Sequence, residues 1–243
     1  MGHLGASGDP GFKKITLGAD DLEMTPPPVA IFDLDYTLLE GDSEVIWSQF
    51  LFEKGLAGKE WLERNQEYYR DYEDGELNFI ESEEFLLQPL TRHPLETLLQ
   101  FRSEFLERIR PIIRPGMLER VHWHRIQGHI VLLITATNAF ISEPIAALLQ
   151  FENFICTRVK RLGEAYTNQI EGIPAHGAGK VRLLEQWLSS HGLTLEGSWG
   201  YSDSHNDLPL LQRVANPVAV TPDDRLRAYA LEQGWKIIQA SDF

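Results

Sequence analysis

The chain has 243 residues, with 22 Lys and Arg against 36 Asp and Glu and a formal net charge of −14. This length is enough for one large domain, or for a core domain with a smaller second one. Because a negative surface repels phosphate backbones, we expect no nucleic-acid partner. The single cysteine, Cys156, excludes an intramolecular disulfide framework and a cysteine-based metal site.

The apolar and N-terminal segments do not resemble membrane or secretion signals. The longest apolar run, residues 130–134, is far shorter than the roughly 20 residues that span a bilayer. Residues 1–28 are rich in Gly and Pro and lack a basic segment followed by an apolar one, so we interpret them as an N-terminal extension outside the core. We therefore expect a cytoplasmic location and no membrane partner.

The first predicted elements are a buried strand and a helical insert. Residues 29–33 are continuously apolar up to an aspartate, as in a central parallel strand. Residues 42–112 show helical periodicity and no strand pattern, which predicts a cap domain of about four helices, and Asn78 with Glu81 forms a capping-box pattern. We interpret the acidic charge of this insert as a solvated face. The aromatic side chains expected to pack it, with one or two of them facing a substrate, are Trp47, Trp61, Tyr68, Tyr69 and Tyr72.

From residue 113 onward, strand and helix patterns alternate, as in an open parallel sheet with helices on both faces. The predicted strands are IVLLIT, FENFICTRV, GSWGYSD, NPVAV and the edge strand WKIIQ. The predicted helices are RPGMLERVHWHRIQGH, SEPIAALLQ, GKVRLLEQWLSSHG, NDLPLLQRV and DDRLRAYALEQG, and a small hairpin turns near Gly163. We therefore predict an α/β fold in which residues 29–41 and 113–243 form a Rossmann-like, doubly wound parallel sheet.

Polar side chains follow three of the predicted strands, where ligands of open α/β sheets bind. A lysine at the start of a later helix completes the set. These residues are Asp33, Asp35, Thr135, Asp203, Asp207 and Lys180.

The paired aspartates predict a magnesium site. Asp33 and Asp35 are two positions apart in an extended chain and face the same side, where like charges repel unless a cation lies between them. Carboxylates of Asp33 and Asp203 are the hard ligands that suit Mg²⁺, and Asp35 is expected to add its backbone carbonyl. The side chain of Asp35 then remains available to move protons.

The same residues predict phosphoryl transfer through a covalent intermediate. We assign Asp33 as the nucleophile that attacks phosphorus, and Asp35 as general acid on the leaving alcohol and then general base for water. Thr135 and Lys180 are expected to bind the phosphoryl oxygens. Asp207 is expected to orient either Lys180 or a metal-bound water.

Four segments, DLDYT, ITATNAF, GAGK and YSDSHND, together resemble the motifs of the haloacid dehalogenase superfamily of phosphatases. They are most similar to its phosphoserine-phosphatase-like branch, which has a helical cap after the first strand, and the resemblance spans roughly residues 29–220. It implies an aspartyl-phosphate mechanism, Mg²⁺ dependence and a mobile cap. It also implies that Asn206 holds phosphate or substrate, and Ala136, next to Thr135, is included among the predicted phosphate-binding residues.

Two departures from that branch leave the substrate open. TATNAF lacks the small glycines that usually follow the polar residue of the second motif. The segment GDSEVIW, with Asp42, Ser43 and Glu44, stands where that branch has its amine-binding glutamate. The leading hypothesis is hydrolysis of a small soluble phosphate ester. Phosphotransfer to a sugar phosphate and a non-catalytic phosphate-binding module are the alternatives, and the oligomeric state is open.

The histidines outside these motifs carry no assigned chemistry. His122 and His124 lie two residues apart on a predicted helix, where they face different directions, so we interpret them as structural residues. His205 is interpreted as a solvent-facing loop residue. His176 lies shortly before Lys180 and is left unassigned, although it is near enough in sequence to reach the cleft.

Overall fold

The computed structural model describes residues 26–75 and 77–239, so most of the predicted N-terminal extension, residues 1–28, lies outside the described residues. Six parallel strands form the main sheet, in the order β3-β2-β1-β6-β7-β8. They are β1 (Val29–Phe32), β2 (Ile130–Asn138), β3 (Asn153–Thr157), β6 (Trp199–Ser202), β7 (Asn216–Val220) and β8 (Lys236–Ile238). The predicted α/β fold with a parallel sheet is confirmed.

The core lies on both faces of this sheet. Side chains of β1 alternate between the faces, with Ala30 and Phe32 in one hydrophobic cluster and Val29 and Ile31 in the other. All four are fully buried, which explains why this strand is apolar throughout and does not alternate with polar residues. Helices α6 (Pro115–Ile126) and α7 (Ala139–Leu148) cover the first face, and α8 (Ala178–His191), α9 (Leu208–Leu211) and α10 (Asp224–Gln233) cover the second.

Between β1 and α6 the chain is helical, as predicted, but its described residues form five α-helices and a short 3₁₀ helix, more than the number expected. They are α1 (Ser43–Glu53), α2 (Lys59–Asp74), α3 (Phe79–Leu86), α4 (Gln88–Arg92), α5 (Leu95–Ile109) and the 3₁₀ helix Arg110–Ile112. The extra helix arises because α3 and α4 are separated at Leu87 and do not form one continuous helix. Asn78 caps α3 as predicted, and its Oδ1 accepts the Glu81 N–H at 3.4 Å.

The two segments that connect this helical region to the sheet run side by side. Leu39 and Ile113 form an antiparallel bridge. Glu40 N–H donates to the Ile112 carbonyl at 2.7 Å, and Arg114 N–H donates to the Leu38 carbonyl at 2.9 Å. This geometry is compatible with the division into a core (29–41 and 113–243) and a cap (42–112), which stays a prediction.

A second, two-stranded antiparallel sheet follows β3. It consists of β4 (Val159–Leu162) and β5 (Ala165–Ile170), with Gly163 in the turn at φ +61°, as the sequence predicted. Strand β5 packs against α3 and α4, and Asn168 donates its side-chain amide to the Glu84 carbonyl at 3.4 Å. The helical region therefore rests on this hairpin as well as on the main sheet.

Two boundaries differ from the sequence prediction. Strand β2 continues to Asn138, and α7 begins at Ala139, where the Asn138 side chain accepts the Ile141 N–H. The predicted helix NDLPLLQRV is a 3₁₀ turn, His205–Asp207, followed by the single-turn helix α9, which contains Pro209 near its start. Within residues 26–75 and 77–239, none of the helices has the length and apolar character needed to cross a membrane.

Candidate active site

Three of the predicted site residues meet directly beyond the end of β1. Lys180 Nζ donates to Asp33 Oδ1 at 2.7 Å and to Asp207 Oδ2 at 2.8 Å. All three residues are buried. The structure therefore brings Asp33, Asp207 and Lys180 together, and it places Asp207 against the lysine, one of the two roles that the sequence left open.

The approach of Lys180 depends on its neighbour Gly179. A Cβ atom at Gly179 would lie 2.0 Å from the Pro174 carbonyl oxygen, a separation that real Cβ atoms do not reach. Only glycine allows the first turn of α8 to pack this closely against the preceding loop, so the loop and the lysine keep their positions together.

Burial and neighbouring charges act in opposite directions on the pKa values of Lys180 and Asp33. Burial alone would lower the Lys180 pKa, but the charges of Asp207 and Asp33 outweigh it and raise that pKa above its ordinary value. Burial raises the pKa of Asp33 to about 7, against the opposing effect of Lys180. Lys180 therefore stays positively charged, because carboxylates surround it, and two of its three N–H donors go to Asp33 and Asp207.

Asp35 is held apart from this triad by hydrogen bonds to two other elements. Its Oδ1 accepts the Ser43 N–H at 2.7 Å, at the start of α1, and its Oδ2 accepts the Thr137 hydroxyl at 2.6 Å, near the end of β2. Burial, followed by the negative charge of Asp42, raises the Asp35 pKa to about 7. A carboxyl with a pKa near neutrality is suited to give and accept protons.

The end of β2 supplies Thr135, Ala136 and Thr137 to the wall of the site. Thr135 is buried, and its Oγ1 accepts the Thr137 N–H at 3.2 Å. Thr137 was not predicted as a site residue, although ITAT places two threonines two residues apart, the spacing of side chains on one face of a strand.

The aspartates of YSDSHND also have hydrogen-bond partners that the sequence did not predict. Asp203 Oδ1 accepts the Thr37 hydroxyl at 3.2 Å, and Asp207 Oδ2 accepts the Ser202 hydroxyl at 2.7 Å. Burial, and then the charges of Asp33 and Asp207, hold the Asp203 pKa well above its usual range. The motifs DLDYT and YSDSHND thus contain their own supporting hydroxyls.

The donor set fits a small divalent cation. Asp33 and Asp203 repel each other when both are ionised. The Asp35 side chain is hydrogen-bonded to Ser43 and Thr137. The Asp35 carbonyl accepts one hydrogen bond, from Thr37 N–H at 2.6 Å, and a carbonyl oxygen has two lone pairs. Among the described residues, no three His, Cys, Asp or Glu side chains are arranged to hold a metal.

Asn206 and His205 lie in the loop after β6, and the phosphate or substrate contact of Asn206 stays a prediction. Asn206 does not line the cavity, and its Nδ2 is buried without a hydrogen-bond partner in the described part of the chain. His205 was expected to face solvent, but it is only partly exposed because its Nδ1 and its backbone N–H both lie against Asp223 Oδ2, at 2.8 and 2.7 Å. His205 therefore anchors the loop that carries Asp203 and Asp207.

A cavity of about 360 Å³ lies between these residues and the helical region, a size suited to a small molecule. Trp47 and Trp61 pack in the hydrophobic core, as predicted. More aromatics face the cavity than expected, because Tyr68, Tyr69 and Tyr72 all line it.

Not all acidic residues of the insert lie on a solvated face, contrary to the expectation from the sequence. Glu83 is buried and Glu44 is only partly exposed, and both line the cavity. The sequence pointed to Glu44 only as part of the segment GDSEVIW and did not point to Glu83, because α1 and α3 carry acidic residues on several faces and only packing selects the inward ones.

His176 lies beside this cavity at the contact between core and insert. Its ring stacks on Phe79 at 4.6 Å between centroids and lies 5.9 Å from the Tyr72 ring. Burial lowers the His176 pKa to about 4, so the ring is neutral near pH 7. The residue left unassigned from sequence is thus an aromatic packing partner of α2 and α3. His124 is buried and hydrogen-bonded, and His122 is exposed.

Residues 30–212 match the family model for haloacid dehalogenase-like hydrolases. The chain belongs to this family. The match includes Asp33, Asp35, Thr135, Lys180 and the two aspartates after β6, so the predicted resemblance is confirmed at the level of the family.

Relatives of this hydrolase include named phosphatases and a close structural match. The chain is 41% identical over 216 residues to a histidinol-phosphatase of Neisseria meningitidis serogroup C (strain 8013), and the match covers 86% of this chain and 97% of the relative. A crystal structure of a protein with unknown function from Bordetella pertussis Tohama I is 38% identical with a TM-score of 0.83, covering 89% and 100% of the two chains.

A substrate-bound phosphoserine phosphatase shares the fold of this haloacid dehalogenase-like hydrolase. The TM-score is 0.65 at 19% identity, with 84% of this chain and 90% of the other covered. With the family match and the phosphatase relatives, the chain is a phosphatase of the haloacid dehalogenase-like family.

Proposed function

We propose that this protein is a Mg²⁺-dependent phosphomonoesterase that hydrolyses a small phosphorylated metabolite through an aspartyl-phosphate on Asp33. The observation that carries the proposal is the pair of differently held carboxyls. Asp33 is ion-paired to Lys180 in the base of the cavity, whereas Asp35 is bound by Ser43 and Thr137 and is free of the lysine. This difference supports attack on phosphorus by Asp33 and proton transfer by Asp35.

In the first half-reaction, an Asp33 carboxylate oxygen forms a bond to phosphorus while the bond from phosphorus to the ester oxygen breaks. Asp35 gives its proton to the departing alkoxide. Lys180, Thr135 Oγ1 and the Ala136 backbone face the phosphoryl oxygens, whose charge must be balanced throughout transfer.

In the second half-reaction, Asp35 accepts a proton from water as the water oxygen bonds to phosphorus. The bond from phosphorus to the Asp33 oxygen breaks, which releases inorganic phosphate and restores both aspartates. Asp33, Asp203 and the Asp35 carbonyl would hold Mg²⁺, which supplies positive charge against the phosphoryl oxygens. Asp207 keeps Lys180 in place, and Asn206 keeps its predicted contact with phosphate or substrate only if it turns inward.

Residues 42–112 act in this proposal as a cap that opens to admit the ester. The hydrogen bond between the hydroxyls of Tyr36 and Tyr69, at 2.8 Å, supports it, since it joins the loop after β1 to α2 across the cavity. Closure would exclude water from the first half-reaction.

Histidinol phosphate is the first substrate to test, because the 41% identical relative is named a histidinol-phosphatase and the match covers nearly all of that protein. Purified protein with Mg²⁺ should release phosphate from it, and Asp33→Asn should abolish release. The control is Asp224→Asn, at an exposed aspartate in the first turn of α10. Product analysis detects transfer to another metabolite, since total organic phosphate would then stay constant.

Full activity in Asp33→Asn would contradict the assignment of the nucleophile. Absence of phosphate release across phosphorylated amino acids, amino alcohols, sugars and nucleotides would contradict the proposed hydrolysis as a whole.

A further inference from the structure

Hydrogen-bond donors are scarce in the part of the cavity where the phosphoryl group is expected to bind. Among the described residues, seven carboxyl groups but two basic side chains, Arg70 and Lys180, line the cavity. Two of the three N–H donors of Lys180 go to Asp33 and Asp207. The third, with the one hydroxyl proton of Thr135, must serve the three outer oxygens of a phosphoryl group. A further donor at this place would strengthen phosphate binding.

Tyr72 lies at this place although it belongs to the helical insert, in the last turn of α2. It lines the same cavity as Lys180 and Asp207. Its hydroxyl is close enough to both for their charges to act on it. Burial and then the charge of Asp207 raise the Tyr72 pKa above its ordinary value, against the effect of Lys180. The phenol therefore stays neutral near pH 7 and is a donor, not another anion.

Ser204 leaves the proton of this phenol available. Its Oγ accepts the Asn206 N–H at 3.2 Å, so the serine proton remains to be donated. A hydrogen bond from Ser204 lowers the Tyr72 pKa, as donation to the phenol oxygen does. Since the oxygen of Tyr72 accepts from the serine, its own proton can be donated to a ligand in the cavity.

The ring of Tyr72 packs against the core loop that carries the lysine. It lies 5.9 Å from the His176 ring, which in turn stacks on Phe79 at 4.6 Å between centroids. His176 comes shortly before Lys180, and its carbonyl accepts the Gly179 N–H at 2.8 Å. The same loop therefore positions the lysine and supports the ring of the tyrosine.

The end of α2 also contacts the core on the side of the loop after β6. Gly75 ends α2 at φ +77°, and an added Cβ there would lie 2.8 Å from Arg225 Nη1 and 3.4 Å from His205 Nε2. His205 is held by Asp223, with 2.8 Å between its Nδ1 and the Asp223 Oδ2. In this position of the insert, the last turn of α2 thus brings Tyr72 to the phosphoryl site.

We propose that the Tyr72 hydroxyl donates a hydrogen bond to a phosphoryl oxygen of the bound ester, so that the cap supplies a catalytic residue to the core. The contact adds a neutral donor to those of Lys180 and Thr135, where charge must be stabilised throughout transfer. Because the phosphoryl group is common to all esters, the contact does not depend on the alcohol part. This inference rests on the proposed function, because it names a further residue of that site.

Binding of inorganic phosphate tests the contact without any turnover. Tyr72→Phe removes the hydroxyl and keeps the ring that packs on His176. Calorimetry in Mg²⁺ should show an affinity for phosphate about tenfold lower than that of the wild type, as loss of a hydrogen bond to a charged group predicts. Tyr229→Phe is the control and should keep the wild-type affinity, because Tyr229 accepts from Gln212 and does not line the cavity.

Equal phosphate affinity in wild type and Tyr72→Phe, or no binding of phosphate by the wild type, overturns the assignment. Urea unfolding without phosphate measures the fold itself. A midpoint for Tyr72→Phe well below that of the wild type, together with weaker binding, would give Tyr72 a structural role and contradict the proposal. A wild type that binds phosphate but hydrolyses no ester contradicts the proposed function and leaves the binding result standing.

Kinetics distinguish a contact with the phosphoryl group from one with the alcohol part. In Tyr72→Phe, kcat/KM should fall by the same factor, about tenfold or more, for every ester that the wild type hydrolyses, a generic aryl phosphate included. A loss confined to one ester would place the Tyr72 hydroxyl against the alcohol part and contradict the proposal.

Discussion

Lys180 donates to the carboxylate of Asp33 at 2.7 Å, although 147 positions separate the two residues in sequence. Their side chains are only 4% and 11% exposed. Removing either residue would leave the other as a buried charge without a partner, which is strongly unfavourable. The same contact therefore contributes both to stability and to the proposed phosphate site.

Replacing the lysine should affect both properties. Lys180→Met leaves Asp33 and Asp207 facing each other, so we expect the free energy of unfolding to fall by about 3 kcal/mol and the rate of phosphate release to fall at least about 100-fold. Urea unfolding at pH 7 and a phosphate assay measure the two effects. Lys236→Met, at an exposed edge-strand position, is the control and should change neither. Wild-type stability in Lys180→Met would contradict the buried ion pair.

Asp35→Asn separates proton transfer from binding. The amide retains an oxygen for the Ser43 N–H, and its NH₂ group can donate to the Thr137 hydroxyl, so the fold should be preserved. We expect kcat to fall at least about 100-fold with little change in KM. Steady-state kinetics on histidinol phosphate measure this split. A large rise in KM with kcat unchanged would show that Asp35 binds substrate and does not move the proton.

Gly179→Ala tests the close approach that positions Lys180. The new Cβ would overlap the Pro174 carbonyl, and we expect a loss of about 2 kcal/mol or more in the free energy of unfolding. Activity should fall as well, because the next residue is Lys180. Gly58→Ala is the matched change, at φ −83° with no atom within 4 Å of the added methyl, and it should cost less than about 1 kcal/mol. Equal stability of the two variants would exclude the steric explanation.

Because of His124, we expect the free energy of unfolding to fall in acid. Its nitrogens lie 2.8 Å from His129 Nδ1 and from the Tyr201 hydroxyl, and burial, with the charges of His129 and Arg120, lowers its pKa to about 3. The folded state keeps the ring neutral, whereas the unfolded chain binds a proton below its ordinary pKa of about 6.5. The contribution is therefore complete above about pH 6.5 and decreases as the pH falls towards 3.

Urea unfolding from pH 7 to pH 4 measures this dependence. The wild-type free energy of unfolding should fall by up to about 1.4 kcal/mol per pH unit from this group. His124→Gln should be less stable at pH 7 but should show a shallower slope, because the titrating ring is gone. His122→Gln, on the exposed face of α6, is the control. Identical slopes in wild type and His124→Gln would show that His124 is charged in the fold.

The sequence predicted the site best where chemistry follows strand ends. Asp33, Thr135 and Asp203 come directly after or at the end of apolar strands, and parallel strands place those ends at one edge of the sheet. Each strand end can be recognised from the local sequence, and so the sequence predicts that these residues meet. Asn206 carries a similar motif signal but does not line the cavity, whereas Asp207, in the same short turn, contacts Lys180.

By itself, then, the sequence determined the alternating strands and helices, the helical insert and the residue types that gather beyond the strands, because these depend on periodicity and local turns. Tertiary packing alone decided that Thr137 and Ser43 hold Asp35, and that Glu44 and Glu83 turn into the cavity while Glu53 and Glu81 on the same helices are exposed. A helix exposes every direction around its axis, and only the surface against which it packs selects the side chains that become part of a site.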